Sequence, residues 1–236
     1  LCFGSDEPTA TSAATLIKGR SMDKLVITAR LKSPVVSAGG YWTLDGLLAA
    51  VRFDQCNDVE QAHSTLPLRD THGLFHASAA IMEPIDRGKI SFVANLRADH
   101  TLNADLIAKS KDGQRLHTKL GKTRRRDFGA VLNHYAMISA PDVTWFAEGD
   151  GEAIQALLED VQFIGKRRAS GFGEVDEWTV EEGDLDGVVG VMGEPLRPVP
   201  LELFNGDKDS LVVDAAWKPA YWHPAHRAIC YAPESV

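Results

Sequence analysis

The sequence has few cysteines, no long apolar run and no excess of positive charge. Its 236 residues include three scattered cysteines, Cys2, Cys56 and Cys230. An odd, dispersed set does not indicate a disulfide framework. No stretch approaches the ~20 consecutive apolar residues that a membrane-spanning helix needs, and there is no secretory pattern at the start. These absences predict a cytoplasmic protein that has no membrane partner.

The formal net charge of −8 argues against simple nucleic-acid binding, because neutralising phosphates needs clustered lysine and arginine. Hydrophobic residues make up 44% of the chain and charged residues 25%, as in an ordinary soluble globular protein with a real core. The positive charge is concentrated in two short segments. Nucleic-acid binding therefore depends on where those segments lie.

Apolar periodicity predicts an α+β protein. Helices are predicted at residues 44–51, with Thr43 as the cap, and at 151–162. Strands are predicted at residues 25–31, 90–96, 105–108, 135–139, 143–148 and 174–180. This order matches a ferredoxin-like fold, in which an antiparallel sheet carries two helices on one face, here with an inserted thumb-like region.

The predicted domain organisation is simple. Residues 1–21 are rich in Ser, Thr, Ala, Gly and charge and are predicted to be a flexible leader. Residues 22–236 form a single domain, with an irregular insertion around 55–130. From about residue 183 the chain is rich in Gly and Pro and is predicted to wrap irregularly around the domain edge.

A glycine-rich basic loop follows the second predicted helix. Its glycines allow sharp turns and close approach to a ligand, its three consecutive cations suit phosphates, and its aromatic ring suits base stacking. The residues assigned to RNA binding are Gly165, Lys166, Arg167, Arg168, Ser170, Gly171, Phe172 and Gly173. The spacing matches neither the P-loop nor the dinucleotide-binding pattern. The alternative is a solvated turn whose glycines only shape a hairpin.

A second basic segment holds five cations within eight positions, and these repel one another unless an anion or a partner is present. Its residues are Lys119, Lys122, Arg124, Arg125 and Arg126. A solvated flexible loop is the alternative interpretation.

Metal binding and catalysis receive little support. One irregular segment contains Cys56, His63, His72 and His76, and another near the end contains His223, His226 and Cys230. Neither set has the paired spacing of a structural zinc site, so we predict neither a metal nor another cofactor. No nucleophile motif is present.

A metal-independent ribonuclease is the catalytic alternative. It would use His117 or His134 as general base, since both flank the second basic segment.

Aromatic residues interleaved with prolines close the sequence, at Trp217, Tyr221, Trp222 and Tyr231. Such residues usually pack against the domain. A stacking platform or a partner interface is the alternative.

The glycine-rich loop also carries a family resemblance. Residues 164–175 (IGKRRASGFGEV), running into Trp178 and then Arg197-Pro198-Val199-Pro200, resemble the repeat-associated mysterious proteins (RAMPs) of CRISPR systems. With residues 33–35 and 44–49, the combination is similar to the Cas-five-like subunit of type IV effector complexes. The resemblance extends from about residue 24 to 200.

This resemblance implies a role rather than a reaction. Such subunits look like an RNA-recognition module with an inserted thumb, and they hold the 5′ handle of the CRISPR RNA and cap the filament of backbone subunits. Residues 165–173 would face the guide, and residues 119–126 would form the thumb-like insertion. The implied partners are the CRISPR RNA, the backbone and large subunits, and target DNA beside the protospacer. The competing hypotheses are an endoribonuclease that processes precursor RNA and a scaffold that contacts only proteins.

Overall fold

The computed structural model describes residues 22–37, 39–94 and 131–234, and it has a mixed α+β architecture in which all paired strands run antiparallel. The strands are β1 (Asp23–Leu31), β2 (Val35–Ser37), β3 (Asp70–Thr71), β4 (Leu74–Phe75), β5 (Asp86–Ala94), β6 (Val131–Ser139), β7 (Asp142–Gly149), β8 (Val175–Glu182), β9 (Val199–Pro200), β10 (Val212–Ala216) and β11 (Arg227–Tyr231). The helices are α1 (Leu44–Cys56), α2 (Val59–Ser64) and α3 (Gly151–Leu158). None of the helices in these ranges is long and apolar enough to span a membrane.

The central sheet has the order β7-β1-β8. The strands β1 and β7 alternate between buried and more exposed residues, as expected when one face covers a core. Ile27 of β1 is fully buried, and Trp145 of β7 lies opposite it in register. The outer edge of β7 is also occupied, because residues 68–81 form isolated antiparallel bridges to it.

The helices α1 and α3 cover one shared core with this sheet. Asp150 caps α3, since its carboxylate accepts a hydrogen bond from the Ala153 amide. The helix ends at Leu158, four residues earlier than predicted, where Glu159 and Asp160 begin a turn. The Trp178 indole then donates to the carbonyl of Val161, which holds the chain outside the helix.

The helix α1 starts at the predicted residue and runs five residues longer, to Cys56, and the C-cap residue Asn57 has a left-handed conformation. Thr43 occupies the N-cap position, as predicted, and its carbonyl accepts a hydrogen bond from the Leu47 amide. The Thr43 hydroxyl makes no cap hydrogen bond and instead donates to the Tyr221 hydroxyl, 2.7 Å away. A contact 178 residues distant in sequence therefore replaces the local one.

A second sheet has the order β2-β6-β5. The pairing of β5 with β6 runs from Asp86↔Ser139 to Ala94↔Val131, and we call this pair the β5–β6 hairpin. Both strands begin earlier in the chain than predicted. Residues 95–130 connect the two strands and lie outside the described residues, as does the predicted strand at 105–108 and the predicted leader at 1–21.

Two segments predicted as irregular are more regular than expected. Within 55–88 the chain forms α2 and the short β3–β4 hairpin, and after residue 183 it forms a third sheet of order β10-β11-β9. These elements are short, and a second small cluster containing Val199 and Phe204 supports them. Their stability comes from long-range packing, so local periodicity gives little sign of them.

Arg197 fastens the C-terminal segment to the central domain. Its side chain is 0% exposed and donates to the Phe75, Ala77 and Trp217 carbonyls. It also contacts the Tyr221 hydroxyl and forms a buried ion pair of 3.1 Å with Asp45 of α1. Burial alone would lower the pKa of Arg197, but Asp45 and Tyr221 raise it above its usual value. The guanidinium is therefore a charged connection between α1 and the C-terminal strands.

Candidate nucleic-acid interface

The glycine-rich loop is closed at its neck by backbone hydrogen bonds. The Ile164 amide donates to the Gly173 carbonyl at 2.8 Å, and the Gly173 amide donates to the Pro34 carbonyl at 2.9 Å. The Lys166 amide donates to the Val36 carbonyl of β2. Residues 165–173 therefore project from a fixed base beside the start of α1.

At two of the three loop glycines, Gly165 and Gly173, other atoms of the protein fill the space that a Cβ would take. A Cβ at Gly165, where φ is +77°, would lie 2.8 Å from Val35 Cγ1 and 3.0 Å from the Trp42 ring. A Cβ at Gly173, where φ is +71°, would overlap the Ile164 carbonyl. Only Gly171, where φ is +83°, has nothing within 4 Å. Glycine is therefore required at Gly165 and Gly173, where backbone hydrogen bonds close the base of the loop. At Gly171, near the tip, the backbone is open to a ligand.

Arg167 holds the loop against the β5–β6 hairpin. Its guanidinium carbon lies 4.4 Å from the centre of the Phe92 ring and 4.8 Å from that of Tyr135, and it donates to the Tyr135 hydroxyl at 2.9 Å. Phe172 packs edge-to-face on Phe92, with ring centres 6.1 Å apart. The sequence assigned Arg167 to phosphate and Phe172 to base stacking, but in this arrangement both contact the hairpin.

The other two cations of the loop point outward. Lys166 and Arg168 are exposed, and within the described residues neither side chain takes part in an ion pair or a hydrogen bond. Arg168 begins a short 3₁₀ turn that ends at Ser170, which is also exposed. Two positive charges and an open backbone at Gly171 therefore lie together at the tip, which is what a phosphate-binding loop requires.

A groove of about 370 Å³ adjoins the loop. Its lining includes Gly165 and Lys166 of the loop, Trp42 and Leu47 from the region of α1, and Gly39. Gly39 and Gly40 turn the chain shortly before α1, with φ of +81° and +82°. The loop and this turn thus border one concave surface.

The second basic segment, Lys119, Lys122, Arg124, Arg125 and Arg126, lies outside the described residues, as does His117. Both belong to the connection between β5 and β6. His134 lies on β6, where its Nδ1 is 2.7 Å from the Ser91 hydroxyl of β5.

The candidate metal ligands are dispersed. Among the described residues, no three His, Cys, Asp or Glu side chains are grouped to hold a metal ion. Cys56 and Cys230 are free thiols, and burial raises the pKa of Cys230 to about 11. His72 has a φ of 56°, in the turn between β3 and β4.

The closing aromatic residues divide between packing and exposure. Tyr221 is half-buried, its hydroxyl donates to the Asp45 carboxylate, and desolvation raises its pKa well above the usual value. Tyr231 packs against Phe204. Trp217 is partly buried against the small cluster that contains Val199. Trp222 is 77% exposed, so among these four residues it is the one that fits the alternative of an interface residue.

Sequence reasoning missed Phe92, Tyr135 and Trp42. Phe92 and Tyr135 were assigned to strands but not to the site. Side chains alternate between the two faces of β5 and β6, which puts the Phe92 and Tyr135 rings on the face that Arg167 contacts. The sequence could have shown that these two rings are neighbours once the two strands were paired. Trp42 becomes a site residue only through its contact with Gly165.

Comparison with known proteins gives one family match. A family model described as "CRISPR type IV associated protein Csf3" matches residues 23–233, which is most of the chain and includes α1, the glycine-rich loop and the C-terminal strands. A search of curated proteins finds no match.

Proposed function

This chain belongs to the Csf3 family of type IV CRISPR-associated proteins, and on that premise we propose that it binds the 5′ handle of the CRISPR RNA without cutting it and caps the backbone filament of a type IV ribonucleoprotein complex. The observation that carries the proposal is the pair of unpartnered cations, Lys166 and Arg168, on a loop whose neck is fixed. Contact with target DNA beside the protospacer is part of the proposal.

The strand order supports a ferredoxin-like RAMP module. The order β8-β1-β7, followed by the bridged residues 68–81, is that of the four-stranded sheet in which two split βαβ units interlock. The helix α1 follows β1, and α3 lies between β7 and β8. The glycine-rich loop is then the connection from α3 to β8, which are the second helix and the last strand of this module.

We propose different roles for the residues of the loop. We propose that Lys166 and Arg168 contact guide phosphates, as exposed flexible cations do. Arg167 and Phe172 position the loop by packing on Phe92 and Tyr135. In this proposal Arg167 acts indirectly, and residues 119–126 add a further nucleic-acid contact from the connection between β5 and β6.

The test compares two variants of equal charge in the full chain, co-purified with the backbone subunit. Lys166→Ala/Arg168→Ala removes both proposed contacts, while Lys24→Ala/Lys208→Ala removes two exposed cations outside the loop. Binding of labelled guide RNA is measured against salt concentration. We expect the loop variant to bind about tenfold more weakly, since two exposed charge contacts of about 0.7 kcal/mol each amount to one decade.

The salt dependence gives the sharper result. Each lost phosphate contact on a single strand lowers the slope of log K against log salt by about 0.7, so the loop variant should lose about 1.4 and the control none. Equal slopes for the two variants would refute the guide contact. The parent chain, incubated with repeat RNA without metal, should leave the RNA uncut. Cleavage that the His134→Ala substitution abolishes would favour the endoribonuclease hypothesis instead.

A further inference from the structure

The helix α1 has two apolar faces, only one of which packs inside the protein. Leu44, Leu48 and Ala49 are buried in the central core. On the opposite side, Ala50 is exposed and Phe53 is 38% exposed. A surface helix ordinarily carries polar residues on its outer face, so this face has the composition of a helix that packs against something else.

Neighbouring elements extend the apolar surface. Val59 of α2 is 43% exposed, and Trp222 of the C-terminal segment is 77% exposed. Both line a groove of about 410 Å³ together with Ala50 and Phe53. We call these residues, Ala50, Phe53, Val59 and Trp222, the α1 patch. An exposed tryptophan beside a phenylalanine is the composition typical of an interface hot spot.

A second groove lies on the other side of Phe53. It has a volume of about 660 Å³ and is lined by Val51 and Phe53 from α1 and by Val161 and Phe163 from the chain after α3. Phe53 is therefore a ridge between two grooves. Two grooves that flank a ridge can accept the side chains of another α-helix.

Carboxylates surround the α1 patch. Asp54 and Asp160 line the second groove, and Asp58 and Glu60 flank Val59, all of them exposed. Within the described residues none of the four forms an ion pair.

The positive groups nearby are few. Arg168 also lines the second groove, and Arg52 is hydrogen-bonded to Gln55. Burial, with His226 nearby, lowers the pKa of His63, so this ring in the first groove is neutral at pH 7. The local charge is negative, which repels nucleic acid and attracts a basic partner.

We propose that the α1 patch binds an amphipathic α-helix of a neighbouring protein subunit, with apolar residues along one side and lysine or arginine at its flanks. The helix lies across Phe53, its apolar side chains fill the two grooves, and its cations pair with Asp54, Asp58, Glu60 and Asp160. The proposal rests on the assembly role proposed above and not on the guide contact. The protein thus has a basic loop for RNA and an acidic-rimmed apolar patch for protein.

The experiment uses the complex made by co-expressing the full chain with the other proteins of its type IV system and a guide. Phe53→Asp/Trp222→Asp is compared with Val191→Asp/Met192→Asp, which places the same charges at two apolar residues that are 85% and 86% exposed outside the patch. The ratio of this chain to its partners in the purified complex is measured by mass spectrometry. We expect at least about a tenfold fall for the patch variant and none for the control.

Folding is controlled with a milder variant and a second readout. Val59→Glu changes one exposed residue of the short helix α2, and it should lower incorporation while its melting temperature matches that of the parent chain. Carbodiimide crosslinking of the parent complex should join Asp54, Glu60 or Asp160 to lysines within one helix of a partner protein.

Three results would overturn the proposal. These are crosslinks of the α1 patch to a second copy of this chain, crosslinks of the patch to the guide RNA, and unchanged incorporation of both patch variants. The guide contact is tested separately with Lys166→Ala, because Lys166 lines neither of the two grooves beside Phe53. Loss of guide binding with normal partner assembly, or the reverse, shows which of the two proposals fails.

Discussion

Arg197 shows how one buried charge can organise distant parts of a chain. Its guanidinium donates to the Phe75 carbonyl of β4, to the Trp217 carbonyl and to the Asp45 carboxylate, so it connects α1 to the C-terminal third of the protein. Asp45 is itself fully buried. Removing either partner of such a pair leaves an uncompensated charge in the core, which is far more costly than losing an exposed ion pair.

We therefore predict that Arg197→Met lowers the free energy of unfolding by about 3–5 kcal/mol. The control is Arg227→Met, which breaks a 3.2 Å pair with Asp214 whose side chains are 47% and 61% exposed, and which should cost about 0–1 kcal/mol. Urea denaturation measures both. The double variant Arg197→Met/Asp45→Leu should recover part of the loss, because it removes the unpaired charge. A loss below about 1 kcal/mol in the single variant would contradict the account of Arg197.

Two glycines of the same loop differ in what surrounds them. Gly173 has φ +71° and its Cβ position is occupied by the Ile164 carbonyl, whereas Gly171 has φ +83° and open space. We predict that Gly171→Ala costs about 1 kcal/mol, the penalty for a left-handed L-residue. Gly173→Ala should lower the free energy of unfolding by clearly more, because the backbone at Ile164 must also move away from residue 173. Equal losses of stability in urea denaturation would show that the neck does not constrain Gly173.

At the scale of elements, the strongly periodic segments were predictable. The strand β1, the start of α1, and β7, α3 and β8 all carry an apolar pattern that matches one buried face, and the structure has each of them at or near its predicted position. The two short C-terminal strands β10 and β11 were not predicted. Each has one fully buried residue at most, so its sequence resembles a loop until Phe204 and Val199 are brought beside it.

The glycine-rich loop shows the same limit at the candidate site. Sequence alone shows that the loop is basic and turns sharply. It does not show that Arg167 lies between Phe92 and Tyr135, because these residues are 75 and 32 positions away and meet only through the pairing of β5 with β6. Which of three consecutive cations is free to bind an anion is therefore a property of the tertiary structure.

At the scale of the whole molecule, an ionic cluster joins the central sheet to the segment after β8. His76 Nδ1 lies 3.4 Å from Asp186 and 3.6 Å from Glu148 of β7. Although burial raises it, hydrogen bonds from His76 and from the Val188 and Val189 amides lower the pKa of Asp186 to about 2. A carboxylate whose pKa is lowered on folding stabilises the protein above its unfolded pKa of 3.8.

We predict that this contribution, about 1 kcal/mol after allowing for solvent screening, is lost as the pH falls from about 4 towards 2. Asp186→Asn should flatten the fall in stability over that range. Asp184→Asn, which removes a neighbouring aspartate, should leave it unchanged. Urea denaturation at a series of pH values from 5 to 2 measures the difference, and parallel curves for the parent chain and Asp186→Asn would contradict this assignment.

The net charge of −8 fits the proposed division of surfaces. The exposed cations of the glycine-rich loop are local, and carboxylates surround the α1 patch. The proposed function assigns RNA binding to the glycine-rich loop and protein binding to the α1 patch.

The most direct test of the central claim is ultraviolet crosslinking of the assembled type IV complex, followed by sequencing of the bound RNA and mass spectrometry of the crosslinked peptides. The account predicts crosslinks between residues 165–173 and the repeat-derived 5′ end of the guide. Crosslinks that join this chain only to the spacer part of the guide, or none to this chain at all, would contradict it.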